Sequence, residues 1–171
     1  TLILTLFPYT TLFRSDKITN KPLQVLHHGN INGKDTTFFS CANTIKTATP
    51  SISGEKITIN GLSISEARSL IRNKLKYTKE DFIFIFIGRL VNDKGLRELA
   101  DAMKMIEDGK MSIKLLLIGE LDGEDDALKK EKLDYLMHSK NITYLGVQAD
   151  IRPYLLISDV LVFPSYREGF P

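Results

Sequence analysis

One cysteine, Cys41, in 171 residues excludes an internal disulfide framework and any multi-cysteine metal cluster, and it agrees with a reducing compartment. No stretch approaches the roughly 20 consecutive apolar residues that span a bilayer. Charge of one sign is not in excess either: 23 Lys and Arg oppose 21 Asp and Glu, for a net charge of +2. Neither a broad basic surface for nucleic acid nor an acidic tail is therefore expected, and any anion site must be local. No internal repeat or low-complexity tract is present. An initiating Met is missing too. The first fifteen residues, TLILTLFPYTTLFRS, carry one charge and lack the basic n-region and small-residue cleavage site of a secretory signal. Thr5 to Ser15 instead resembles the conceptual translation of a sequencing adapter, so residues 1–15 are set aside as non-native; the other reading of the segment is a short apolar edge strand. The authentic sequence is expected to begin near Asp16.

What remains is ordinary for a soluble globular domain, with 43% hydrophobic and 26% charged residues, so disorder, collagen-like repeats and coiled coil are set aside. Residues 16–40 hold a short strand, Gln24 to His28, that runs into the turn-permissive GNING at Gly29 to Gly33. Residues 41–62 carry Pro50, Gly54, Gly61 and scattered Ser and Thr without a sustained period, and read as a long irregular, exposed loop. Ser63 with Glu66 forms a capping-box pattern, and Ala67, Leu70, Ile71 and Leu75 follow at helical spacing, which predicts a helix over about 64–76. Phe82 to Ile87, FIFIFI, is an unbroken β-branched and aromatic run that suits a central strand covered on both faces. Leu96, Leu99, Ala100, Met103 and Ile106 mark one face of a helix ending near Gly109, and a strand follows at Lys114 to Ile118. A second helix is expected from about Glu124 to His138, its acidic start favoured by the helix dipole. Strands at Ile142 to Leu145 and Asp159 to Phe163 bracket a short helix near Pro153 to Ile157. This order predicts an α/β fold, an open, doubly wound parallel sheet with right-handed crossovers.

In such sheets ligands bind beyond the carboxyl ends of the strands, where helix N-termini and free loop amides converge. The first strand end to inspect is Gly88-Arg89-Leu90-Val91-Asn92-Asp93-Lys94-Gly95. Lys94 stands at a helix N-terminus, where the dipole disfavours a cation, and makes best sense with a bound anion between them. Arg89 leaves a buried strand at the crevice mouth, able to fork onto phosphate oxygens. Spacing alone equally allows a solvated Arg and Lys on a loop. The last strand ends in Phe163-Pro164-Ser165-Tyr166-Arg167-Glu168-Gly169-Phe170-Pro171. Glu168 would repel a diphosphate and better accepts hydrogen bonds from sugar hydroxyls, while Gly169 lets a ligand approach the Gly169 and Phe170 amides. An ordinary turn is as good a reading on local grounds.

Three blocks, HGNINGKDTTFF at 28–39, GRLVNDKGLRELADAM at 88–103 and NITYLGVQADIRPYLLISDVLVFPSYREGFP at 141–171, resemble in order and spacing the retaining GT-B glycosyltransferases of the family-4 or group 1 class. The segment 41–62 departs from that pattern. The resemblance implies a two-domain enzyme of which residues 63–171 are the Rossmann-like, nucleotide-sugar-binding C-terminal domain, cut short at its end. By the same resemblance Arg89 and Lys94 neutralise the donor diphosphate, and Glu168 is the first glutamate of an E-x7-E motif that contacts the donor sugar. Gly88, Gly169 and Phe170 approach the donor, Gly146, Val147 and Gln148 flank the nucleobase largely through backbone, and Gly29 and Gly33 form the glycine loop entering from the cleft. The second glutamate, which holds the ribose in the family, would fall five residues beyond Pro171.

The implied reaction transfers a sugar, with retention, from a nucleotide-sugar donor, UDP-linked in most of the family, to a glycan or lipid-linked acceptor held by the N-terminal domain. It implies no cofactor and no bound metal, no nucleic-acid partner, and a cytoplasmic enzyme that can associate with the inner membrane face. The fragment alone is expected to be inactive. Two other readings stay open: a sugar-nucleotide epimerase on the same scaffold, and a flavodoxin-like binding module, which would want an acidic pocket near the first strand. His27 and His28 read as strand-end packing without a third metal ligand, Cys41 as an ordinary thiol, and Asp159 as a structural cap. Glu120, Asp122 and Glu124 to Asp126 read as a solvated loop and helix start.

Overall fold

A computed structural model describes residues 39–107, 109, 112–121 and 126–166. The adapter-like segment and residues 16–38, with the expected strand at 24–28 and its glycine loop, lie outside them. The described chain folds as α1 (Cys41–Thr47), β1 (Ser51–Ile52), β2 (Glu55–Lys56), α2 (Ile64–Lys74), β3 (Phe82–Ile87), α3 (Leu96–Glu107), β4 (Ile113–Ile118), α4 (Lys130–His138), β5 (Ile142–Tyr144), α5 (Arg152–Ile157) and β6 (Val160–Leu161). No helix among the described residues is long and apolar enough to cross a membrane.

The main sheet has the order β5-β4-β3-β6, and every pairing in it is parallel. β3 and β4 run side by side in full register, from Phe82 opposite Ile113 to Ile87 opposite Ile118. Because side chains alternate across a strand, the apolar runs feed two cores at once. Ile83, Ile85, Leu116 and Ile118 enter the core beneath α1, α2 and α5, while Phe86, Leu115 and Leu117 enter the other beneath α3 and α4. The chain winds outward from β3 through β4 to β5, then α5 returns it to the far side of β3 as β6. The α/β expectation and the central place of FIFIFI are met.

α2 begins as the sequence predicts. The Ser63 side chain accepts from the Glu66 amide while the Glu66 carboxylate accepts from the Ser63 amide at 2.8 Å, so two otherwise orphaned helix-end donors are satisfied. Ala67 and Ile71 turn into the core with no exposure. Arg68 and Arg72 leave α2 on the side of α5, where they donate to the Leu156 carbonyl at 2.6 Å and the Ile157 carbonyl at 3.3 Å. Two cations thus cap the negative end of that short helix.

The segment 41–62 differs from its expectation as an irregular exposed connection. Ser40 caps α1 by accepting from the Asn43 amide, and β1 and β2 form an antiparallel hairpin. Ser53 at φ 52° and Gly54 at φ 82° supply the two positive-φ positions that a two-residue hairpin turn requires. Ile45, Ala48, Ile52, Ile57 and Ile59 are all buried in the core under α2 and α5. A seven-residue helix and two-residue strands are too short to show a period, and tertiary packing stabilises them.

A second difference is the start of α4. Helix was expected from about Glu124; residues 122–125 are outside the described set, and 126–129 are not helical. Asp126 takes φ 65° and is tied to the loop after β3 instead of opening the helix, and Glu131 is the acid in the first turn of α4. The expected strands shorten to Ile142–Tyr144 and Val160–Leu161 because only those residues find ladder partners.

A buried ion pair sets the entry to α5. Arg152, 6% exposed, donates through Nε to Asp150 Oδ1 at 2.8 Å, through Nη2 to Oδ2 at 2.6 Å and through Nη1 to Thr47 Oγ1 at 3.1 Å. Burial pushes the Asp150 carboxyl up, but the Arg152 hydrogen bonds outweigh it and hold the group below its ordinary range. A depressed folded-state value stabilises the fold fully above the unfolded carboxylate range, and that stabilisation is lost as pH falls from there through the lower folded-state value. Asp150→Asn is expected to cost about 1–2 kcal/mol at pH 7 by replacing charge-assisted bonds with neutral ones. In urea titrations the gap between wild type and this variant should narrow as pH drops below about 4. A gap unchanged down to pH 3 would show that the charge does not matter.

Candidate functional site

The order β5-β4-β3-β6 places the topological switch between β3 and β6, and the crevice for a ligand opens beyond the carboxyl ends of those two strands. Both loops singled out in the sequence leave the sheet there. After β3, Leu90 and Val91 are buried, so the connection is pinned to the protein by its apolar pair. Arg89 is exposed, and Asn92–Lys94 forms a single 3-10 turn with Lys94 partly exposed. Gly95 closes that turn at φ 72°, its amide donating to the Asn92 carbonyl at 2.7 Å, and α3 begins at Leu96. Arg89 and Lys94 thus stand on one connection, at the carboxyl end of the central strand and before the positive end of a three-turn helix.

The exit of β6 is fastened to the same turn. The Tyr166 amide donates to the Asp93 carbonyl at 2.9 Å, and Ser165 Oγ donates to the same oxygen at 3.3 Å. A Cβ on Gly95 would sit 2.3 Å from the Pro164 carbonyl oxygen, so the two loops approach as closely as glycine alone permits. Glu168, Gly169 and Phe170 follow that anchor but lie outside the described residues, as do Gly29 and Gly33.

Three glycines close the three strands on the other side. Gly88, Gly119 and Gly146 end β3, β4 and β5, and the Gly88 amide donates to Ile118 O at 3.0 Å while the Gly119 amide donates to Gly146 O at 2.9 Å. Gly88 and Gly146 were read from the sequence; Gly119 was not. It is nevertheless the most constrained of the three, with φ 147° and a hypothetical Cβ only 1.8 Å from the Gly88 carbonyl oxygen. Gly88 itself has room, its hypothetical Cβ meeting nothing nearer than the Phe86 ring at 3.4 Å. A signal existed: Gly119 follows IKLLLI as Gly88 follows FIFIFI.

Past β5, Gly146 has φ 65° and Val147 is 71% exposed, an apolar side chain offered to solvent after the carboxyl end of that strand. The Gln148 side chain turns the other way. Its Nε2 donates to Leu145 O at 2.7 Å, and its Oε1 lies 2.7 Å from the hydroxyl of fully buried Tyr154, so a ligand can use only the Gln148 backbone without breaking this packing.

Asp126 also escaped the sequence reading, which placed it in a solvated run. Its carbonyl accepts from the Asn92 amide and the Asn92 side chain, both at 3.1 Å, and its carboxylate accepts from the Asp93 amide. Two of the side chains read as unremarkable, Asp159 and Cys41, behave so, while His27 and His28 lie outside the described residues. Asp159 Oδ2 accepts from the Ile83 amide at 2.8 Å beside Arg68 and Arg72, which fixes the entry to β3 at the end of the sheet opposite the crevice. Burial pushes the Cys41 thiol up, away from the reactive thiolate.

The chain is similar in sequence to known proteins. The chain is 34% identical over 125 residues to the capsular polysaccharide biosynthesis glycosyltransferase CapM of Staphylococcus aureus, which covers 67% of this chain and 33% of that protein. It is 32% identical over 107 residues to the N,N'-diacetylbacillosaminyl-diphospho-undecaprenol alpha-1,3-N-acetylgalactosaminyltransferase of Campylobacter jejuni, which covers 63% of this chain and 26% of that protein. A crystal structure of Anabaena Alr3699/HepE in complex with UDP and glucose aligns with a TM-score of 0.45 at 24% identity, over 58% of this chain and 28% of that one. The chain thus spans between a quarter and a third of the length of these two curated relatives. Residues 67–171, well over half of the chain and including both strand-exit loops, match the family described as glycosyl transferases group 1. The parallel sheet, the crevice at its switch point and this match lead to one conclusion: the chain belongs to the group 1 glycosyl transferases.

Proposed function

We propose that this chain is the donor-binding part of a glycosyltransferase that moves a sugar, with retained anomeric configuration, from a nucleotide-sugar to a glycan or lipid-linked acceptor. The observation that carries the reading is the placement of Arg89 and Lys94 on the β3–α3 connection, at the switch-point crevice of a group 1 chain. When the bond from the anomeric carbon to the diphosphate breaks, its electron pair stays on the phosphate oxygen, and the leaving group gains charge. The Arg89 guanidinium can bridge two phosphate oxygens, Lys94 adds a point charge, and the N-terminus of α3 contributes its dipole. Together these groups would supply the charge stabilisation that a divalent ion supplies in other transferases.

Glu168 is assigned to the donor sugar hydroxyls, the Gly169 and Phe170 amides to the sugar or phosphate, and Gly88 to close passage of the diphosphate. The backbone of Gly146 to Gln148, with Val147, is assigned to the nucleobase, and Gly29 and Gly33 to the glycine loop that enters from the cleft. UDP is the proposed nucleotide. The acceptor belongs to polysaccharide or glycoconjugate assembly, a reading supported by relatives named for a capsular polysaccharide and for a diphospho-undecaprenol acceptor. Lipid-linked acceptors place the enzyme at the inner face of the membrane.

The test is calorimetric titration of the full-length protein with UDP-sugars, UDP and UMP, followed by NMR of the anomeric proton in the transferred product. Saturable binding that favours the diphosphate over UMP, and a product with the donor's anomeric configuration, are expected. Inversion would overturn the stereochemical assignment. Equal affinity for UDP and UMP would remove Arg89 and Lys94 from the diphosphate.

A further inference from the structure

The 3-10 turn that carries Lys94 is too short to hold itself. It has three residues, and its N-cap, Val91, makes no side-chain capping bond. Its first two amides, on Asn92 and Asp93, therefore need acceptors from elsewhere. Both find them on one residue more than thirty positions away. The Asp126 carbonyl accepts from the Asn92 amide at 3.1 Å, and the Asp126 carboxylate accepts from the Asp93 amide. Asn92 completes the clasp with its side-chain amide, which donates to Asp126 O at 3.1 Å and to Ala127 O at 2.7 Å. Asp126 reaches this position by adopting φ 65°, a left-handed conformation that Asp and Asn tolerate better than other side chains.

We infer that Asp126 is a positioning residue for the proposed diphosphate site, an N-cap supplied from the β4–α4 connection that sets where the Asn92–Lys94 turn presents its cation. This rests on the reading under Proposed function. A carboxylate near a diphosphate is otherwise a liability, because like charges repel. Here one oxygen is committed to a backbone amide, which orients it toward the turn. From the opposite side the Asp93 carbonyl is held by Tyr166 and Ser165, so the turn is clasped between the β4 and β6 exits. Removing one side of the clasp should let Lys94 wander from the β-phosphate while leaving nucleoside contacts alone.

Four variants of the full-length protein separate the possibilities: Asp126→Gly, Asp126→Asn, Asn92→Ala and Lys94→Ala, each titrated with UDP and with UMP. Asp126→Gly keeps the positive φ and both carbonyl contacts but deletes the carboxylate. It should weaken UDP about tenfold while UMP changes less than about twofold, the range of one charge-assisted hydrogen bond acting through position. Asp126→Asn keeps the left-handed conformation and an acceptor, and should restore UDP affinity to within about threefold of wild type. Asn92→Ala attacks the clasp from its other member and should reproduce the selective loss, which keeps the inference testable if Asp126→Gly does not fold. Equal losses for UDP and UMP would mean that Asp126 has a general structural role, and would overturn the inference. Lys94→Ala losing UDP affinity while Asp126→Gly and Asn92→Ala do not would overturn it alone, leaving the proposed function intact. Wild-type UDP affinity in Lys94→Ala would overturn the assignment of the site itself, and this inference with it.

Discussion

Lys94→Ala in the full-length protein is expected to lower kcat/KM for the nucleotide-sugar by about 10- to 100-fold or more, equivalent to roughly 1.4–2.7 kcal/mol of transition-state stabilisation. The reasoning begins with the electrostatics of the turn. Lys94 stands directly before α3, and the amide dipoles of that helix disfavour a cation there. An anion between them reverses the sign of the interaction and satisfies both partners. Charge on the diphosphate grows as the glycosidic bond breaks, so the interaction is stronger in the transition state than in the Michaelis complex. The loss should therefore appear mainly in kcat, with a smaller rise in KM. Steady-state kinetics at varied donor concentration checks this, and inhibition by UDP gives a second reading of the same contact. Wild-type kinetics in the variant would remove Lys94 from the proposed role.

Gly119→Ala should strongly destabilise the domain, although no ligand contact is assigned to this residue. A Cβ there would lie 1.8 Å from the Gly88 carbonyl oxygen and 2.7 Å from its carbon, and both of those are backbone atoms. No side chain can swing aside to relieve the clash. The φ of 147° adds strain that only glycine avoids. Relief requires parting the exits of β3 and β4, which breaks the bonds from Gly88 N to Ile118 O and from Leu90 N to Glu120 O. A cost of about 4 kcal/mol or more is expected, against a total domain stability of about 5–15 kcal/mol. The urea midpoint should fall by about 2 M for a slope near 2 kcal/mol per molar. Gly88→Ala is the control, because its Cβ meets only the Phe86 ring at 3.4 Å and should cost about 1 kcal/mol or less. Equal midpoints for Gly119→Ala and wild type would show that the two loops part more freely than their geometry implies.

The features that were legible in the sequence are those whose cause is local. The capping box of α2 is written by Ser63 and Glu66, three residues apart, and the structure shows both of its hydrogen bonds. The covered central strand is written by FIFIFI, because six consecutive apolar residues leave no face for water. Features that depend on distant partners were misread or missed. Ile57 and Ile59 lie in a stretch without a period, and their burial comes from the core beneath α2 and α5. Asp126 looked like part of a solvated acidic run that begins a helix, yet its partners are Asn92 and Asp93. Gln148 looked available, yet Tyr154 and the Leu145 carbonyl hold its side chain.

By itself, then, the sequence determined that the chain is an α/β domain, which strands are buried on both faces, and that any anion must be met by a few cations in a chain of net charge +2. These follow from composition and from periods of two and 3.6 residues, which a chain carries along its length. Only the tertiary structure decided where the cations matter. The return of α5 past β3 puts β6 beside β3 and opens the crevice between their exits, and this depends on strand order, which no local pattern encodes. It also decided which residues hold the Lys94 turn. Gly95 against Pro164, Asp93 against Tyr166 and Asp126 against Asn92 are contacts between loops from different strands, brought together by the sheet.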